Sequence, residues 1–234
     1  MNLTAQRKLA AEALATALLL VTVVGSGIMA AKLSGGNIAI ALLGNTLATG
    51  AVLVVLISIF GPLCGAHMNP AVSLLMAVHG DLPWRMLAPY IAAQILGGIL
   101  GVFAAHLMFD LPVLQFSTTL RTGPAQWFAE GVATFGLVLT IFGGLRTRAD
   151  AIPVLVGLYI TAAYWFTAST SFANPAVTIA RALSDTFAGI APAHAPAFIA
   201  AQIGGALIGY GVSRLLWAKP VAAEPIIAAE FIAN

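Results

Sequence analysis

A chain that repeats itself, with three long apolar stretches in each copy, has few ways to fold. The stretches are Leu9–Leu33, Ile38–Pro62, Met86–Met108, Trp127–Leu145, Ile152–Ser169 and Pro196–Trp217. Each is near the roughly 20 residues needed to cross a hydrocarbon core about 30 Å thick. Only 8% of the 234 residues are charged, which excludes an ordinary soluble domain. Arg7 and Lys8 precede the first stretch as they would in a signal peptide. Its uncharged part is too long for one, however, and it recurs in the second half, so it is read as a span.

The duplication is visible residue by residue. Ala11-Glu12-Ala13-Leu14-Ala15-Thr16 matches Ala129-Glu130-Gly131-Val132-Ala133-Thr134, and Ile91-Ala92-Ala93-Gln94-Ile95 matches Ile199-Ala200-Ala201-Gln202-Ile203. Between them, Asn69-Pro70-Ala71-Val72-Ser73 matches Asn174-Pro175-Ala176-Val177-Thr178, so glutamate, triplet and glutamine follow in the same order twice. Three spans per copy is an odd number, and the second copy therefore enters the membrane upside down. Inverted repeats of this kind place a solute site near the midplane, at the interface between the copies. The repeats run over about 7–110 and 125–217 and join at the polar stretch near Gln115–Gly123. They form a single domain, 1–220; the tail, 221–234, is assigned no structure or function. Gly97-Gly98-x-x-Gly101 and Gly204-Gly205-x-x-x-Gly209 stand at matching places, where small residues let transmembrane helices approach closely.

An even number of spans puts both termini on one side. Arg7, Lys8, Arg85, Arg146, Arg148, Arg214 and Lys219 share that side, against Lys32, Arg121 and Arg181 on the other, which favours cytoplasmic termini. Trp84, Trp127 and Trp217 fall at span ends, where an amphipathic ring suits the interface. The lone Cys64 excludes an intrachain disulfide.

Asparagine is a good helix cap, proline is favoured at the first helical position, and alanine propagates a helix. The apolar runs after the triplets, to about His79 and about Leu183, hold some ten residues each, or roughly 15 Å, half a bilayer. One half-helix enters from each side, with the positive N-terminal ends facing each other. The irregular backbone leading in, Gly61–Met68 and Thr170–Ala173, requires a wet cavity. Each asparagine oxygen can cap a backbone N–H, while the NH₂ groups of Asn69 and Asn174 each keep two donors for a lumen at the pore centre. Such donors can hold a neutral oxygen-bearing solute while the dipoles repel protons and cations.

On these residues, together with Gly65-Ala66-His67-Met68 and both glutamates, the chain resembles an aquaporin of the major intrinsic protein family over about residues 7–217. The resemblance implies an all-α membrane protein of six tilted helices and two re-entrant half-helices, assembled in the bilayer as a homotetramer with one pore per subunit. It also implies that Glu12 and Glu130 brace the re-entrant loops. That agrees with the cost of a carboxylate inside a membrane, which needs partners such as loop N–H groups. A proton relay is the competing reading.

The family's outer filter has four positions, and the most diagnostic, an arginine directly after the second triplet, is Val177 here. Counting back without gaps assigns the others to Ser171, Ala162 and Thr49. With no aromatic, histidine or arginine among them, the filter is expected to be wide. Arg181 lies one turn beyond Val177 and could restore positive potential at the outer mouth, or snorkel to the interface. A filter with Val in place of Arg resembles a bacterial subgroup of aquaglyceroporins associated with arsenic resistance. This implies an inner-membrane channel passing arsenite, methylated arsenicals, glycerol-like polyols and water. A water-selective channel and an ion-coupled transporter are the alternatives. His67 precedes the first triplet in the cytoplasmic vestibule, as a hydrogen-bonding residue or a pH-sensitive gate. His79, His106 and His194 have no metal-ligand spacing, and no cofactor fingerprint, nucleic-acid signature or catalytic cluster is present. The expectation is a channel without cofactor, metal or enzyme activity.

Overall fold

The computed structural model describes residues 4–217; Lys219 and the tail lie outside them. Eight α-helices follow in order: α1 Ala5–Leu33, α2 Ile38–Cys64, α3 Pro70–His79, α4 Trp84–Met108, α5 Pro124–Thr147, α6 Ile152–Phe166, α7 Pro175–Arg181 and α8 Ala195–Leu216. Six elements are long and apolar enough to cross a membrane, whereas α3 and α7 are short. There is no strand among the described residues.

Helix ends follow local chemistry. Thr4 and Asn37 cap α1 and α2 through their side chains. Gly65 and Gly80 close α2 and α3 at φ of 92° and 99°, a region that glycine enters without a Cβ penalty. Pro124 opens α5, so that helix starts before its apolar run. Two expected ends are corrected. The fifth span stops at Phe166 rather than Ser169, and α7 stops at Arg181 rather than near Leu183. In both places the chain turns away to form the connections around the second triplet.

The repeats pack in the same way. α1 lies against α4 and α5 against α8, while α2 and α6 meet across the repeat interface. Glycine makes the two like pairs possible. A Cβ at Gly97 or Gly101 would strike the carbonyls of Ala13 and Ala17, and one at Gly205 would strike that of Gly131. The backbones are thus in direct contact, as small residues permit where water supplies no driving force between helices. Outward faces carry large apolar side chains such as Leu96, Leu100 and Leu158.

The linker between repeats is pinned to the end of the bundle opposite the start of α1. Ser117 N–H donates to the Ala182 carbonyl (3.0 Å) and Ala191 N–H to that of Thr119 (2.8 Å). Thr118 donates to the Asp185 carboxylate from both its N–H and its hydroxyl (2.8 and 2.9 Å). This segment therefore forms the rim beside α7.

Candidate solute pore

The triplets clasp each other. Asn69 Oδ1 accepts from Ala71 N–H (2.9 Å), and Asn174 Oδ1 from Ala176 and Val177 N–H (2.9 and 3.2 Å). Each side-chain amide then donates across the repeat interface, Asn69 to the Ala173 carbonyl (2.8 Å) and Asn174 to that of Met68 (2.7 Å). The expectation of two free donors per asparagine is corrected. One N–H of each fastens the opposite loop, and the other has no protein partner.

The two carbonyls can be reached because the loops run through left-handed backbone. Ala66 and Met68 have φ of 47° and 48°, and Ser171 and Ala173 have 50° and 48°, at equivalent places before the two asparagines. For residues with a Cβ this costs about 1–2 kcal/mol each. Carboxylates hold the strained turns. Glu12 accepts from His67 and Met68 N–H (2.7 and 2.8 Å), and Glu130 from Phe172 and Ala173 N–H (2.8 and 2.9 Å). Gln94 Nε2 donates to Glu12 and to Ser73 Oγ, and Gln202 Nε2 to Glu130 and to Thr178 Oγ1. Both glutamates are wholly buried.

On the linker side of the clasp lies a cavity of about 60 Å³, lined by both asparagines, Thr49, Ser171 and Val177, with Ile160, Tyr164, Phe172 and Arg181. That is room for water. Ala162 is absent from the lining and stands exposed on the outer face of α6. At about 100° per residue, it points some 200° away from Ile160 and from Tyr164, which face inward. The expectation of a wide filter without aromatic or arginine therefore does not describe this lining. Tyr164 enters it, hydrogen-bonded to Thr49 Oγ1 at 3.4 Å.

Arg181 does not snorkel. It is 2% exposed, its guanidinium lies 3.4 Å from the centre of the Phe172 ring, and its Nε donates to the Ala188 carbonyl. Its Nη1 and the Ser171 hydroxyl are buried without a protein partner. Both belong to residues of the cavity wall. Arg121, treated in the sequence only as a charge on the outer side, also reaches the rim. It donates to the Gly189 carbonyl (2.8 Å) and to the Ser169 carbonyl (3.2 Å), with its guanidinium 5.1 Å from the same Phe172 ring. Burial pushes that guanidinium below its ordinary pKa, with Glu130 pulling it back up.

On the other side of the clasp, a vestibule of about 540 Å³ is lined by His67, Cys64, Tyr90, Lys8, Asp81 and Arg85, among others. His67 Nδ1 is 3.0 Å from Ser73 Oγ, and its ring tilts against Tyr90. Among the described residues, no three His, Cys, Asp or Glu side chains stand together as a metal site.

The model of the major intrinsic protein family matches residues 1–167. Aquaglyceroporin AqpS of Rhizobium meliloti (strain 1021) is 57% identical over 217 residues, which cover 92% of this chain and 93% of that protein. Aquaporin NIP2-1 of Oryza sativa subsp. japonica is 34% identical over 195 residues, 79% of this chain but 63% of its own length. The X-ray structure of the aquaglyceroporin from Plasmodium falciparum matches with a TM-score of 0.69 at 20% identity, covering 92% of this chain and 98% of that one. At that identity the likeness is one of fold.

Proposed function

The chain belongs to the major intrinsic protein family, whose members are channels and not enzymes, and we propose that it passes small neutral solutes through the cavity at Asn69 and Asn174. Water and small solutes such as glycerol are its broad class of cargo. The observation that carries the reading is a set of unpaired donors in a largely apolar wall. The Ser171 hydroxyl and Arg181 Nη1 lack protein partners, and each asparagine has one amide N–H to spare. A polyol or a metalloid hydroxide can satisfy these groups in turn, so that passage does not strand a polar atom.

Within this reading Thr49, Ser171 and Val177 act as the filter and Arg181 as its outer cation. Glu12 and Glu130 brace the loops, and His67 belongs to the cytoplasmic vestibule. Arsenite is neutral as As(OH)₃ and glycerol-like in shape, and methylated arsenicals, more apolar, suit the Val177 position. The likeness to a bacterial aquaglyceroporin supports an inner-membrane location, and the basic residues at the α1 and α4 ends support cytoplasmic termini. A homotetramer and a single domain over 1–220 complete the proposal.

Tyr164 and Arg181 in the wall favour a second reading, in which water passes and larger solutes do not. Radiolabelled or mass-quantified uptake into proteoliposomes separates the two. Arsenite and glycerol entering well above protein-free vesicles supports the first; water flux without either supports the second.

A further inference from the structure

The family's usual filter arginine is absent at Val177, yet the rim holds two cations, Arg181 buried and Arg121 partly buried. The guanidinium carbons of Arg181 and Arg121 lie 3.4 and 5.1 Å from the centre of one ring, Phe172. Their Nε atoms donate to successive carbonyls, Ala188 and Gly189. Neither arginine is in an ion pair among the described residues. Phe172 is itself held, with its backbone N–H on Glu130 and its ring packed edge-on with Phe198 (5.3 Å, 76°).

Arg121 is delivered by a segment distant in sequence and fixed on both sides. Its own N–H donates to His194 Nδ1 (3.1 Å), and the preceding residues are pinned to Ala182, Asp185 and Ala191. Its Nη1 reaches the Ser169 carbonyl and Thr170 Oγ1, on the left-handed turn that presents Ser171 to the cavity. A solvent-seeking arginine on a connecting loop would not be anchored at so many points. Carbonyls and a ring face stabilise a cation without cancelling its charge, so both positive charges remain in force at the mouth.

We propose that Arg121 is a specificity-determining residue of this pore, which together with Arg181 supplies the cation barrier that the Val177 position lacks. This rests on reading the cavity as the conducting path. The barrier is shared: each arginine alone sustains most of the exclusion, and loss of both opens the mouth to small cations.

The test compares wild type, Arg121→Gln, Arg181→Gln and the double variant in proteoliposomes. Water flux is followed by light scattering, and K⁺ leak by a voltage-sensitive dye under a K⁺ gradient. The expected result is a two- to threefold rise in K⁺ leak for each single variant. The double variant should exceed either by about tenfold or more, with water flux retained. A double variant no leakier than Arg181→Gln, with water flux intact, overturns the proposal. If the double variant carries no water, Arg121→Gln decides: K⁺ leak at the wild-type level, or loss of its own water flux, removes Arg121 from the filter and leaves it a scaffold of the loop. Absence of water flux in wild type would instead overturn the reading of the cavity as a channel.

Discussion

Replacing Glu130 by glutamine keeps the shape of the side chain and removes its charge. The carboxylate now accepts three hydrogen bonds, from Phe172 N–H, Ala173 N–H and Gln202 Nε2. A glutamine has one acceptor oxygen and turns an NH₂ group toward at least one of these donors. One backbone N–H is then buried without a partner, at about 1–3 kcal/mol, and the remaining bonds lose their charge assistance, for about 1 kcal/mol each. The total is about 3–5 kcal/mol on a loop already strained by left-handed Thr170, Ser171 and Ala173. That strain, about 1–2 kcal/mol per residue, is released when the loop relaxes, so relaxation is favoured. Since Ala173 supplies the carbonyl that fastens Asn69, the clasp loosens with it. The expected outcome for Glu130→Gln is a fall of roughly 10 °C in thermal midpoint in detergent and a loss of most solute flux. Glu12→Gln should behave alike, because its bonds are the same. A Glu130→Gln protein with the midpoint and flux of wild type would refute this account of how the loops are held.

Val177→Arg adds a bulky cation to the wall beside Arg181, and stopped-flow measurements should find glycerol slowed more than water. Equal loss of both, or of neither, would count against Val177 facing the solute. Tyr164→Ala removes the tyrosine ring from the wall and should raise glycerol flux several-fold relative to water; an unchanged ratio would place the narrowest point elsewhere. Gly205→Val forces a side chain into the Gly131 carbonyl where α5 meets α8. It should abolish recovery of folded protein from the membrane, whereas Gly204→Val, which meets nothing within 4 Å, should be recovered normally.

Much of this architecture can be read from residues alone, because the duplication repeats every element with a structural job. A capped, proline-started half-helix is a local property of Asn69-Pro70-Ala71, and so α3 ends at His79, where the apolar run ends. What cannot be read is register through irregular backbone. The connection between α6 and α7 contains no period, and an error of two residues turns a helical side chain through about 200°, which exchanges Tyr164 for Ala162. The pairing of Arg121 with Phe172 joins segments far apart in the chain, and no local pattern announces it. The crossed amide bonds of the two asparagines escape for the same reason. A motif shows which donors exist, but only the fold shows which carbonyl each one meets.

The most direct test of the central reading is a stopped-flow experiment on proteoliposomes exposed to a glycerol gradient. A pore at the Asn69–Asn174 clasp that passes small neutral solutes predicts fast shrinkage followed by reswelling well above the rate of protein-free vesicles. Shrinkage and reswelling both at the protein-free rate, with the protein shown to be folded, would contradict it.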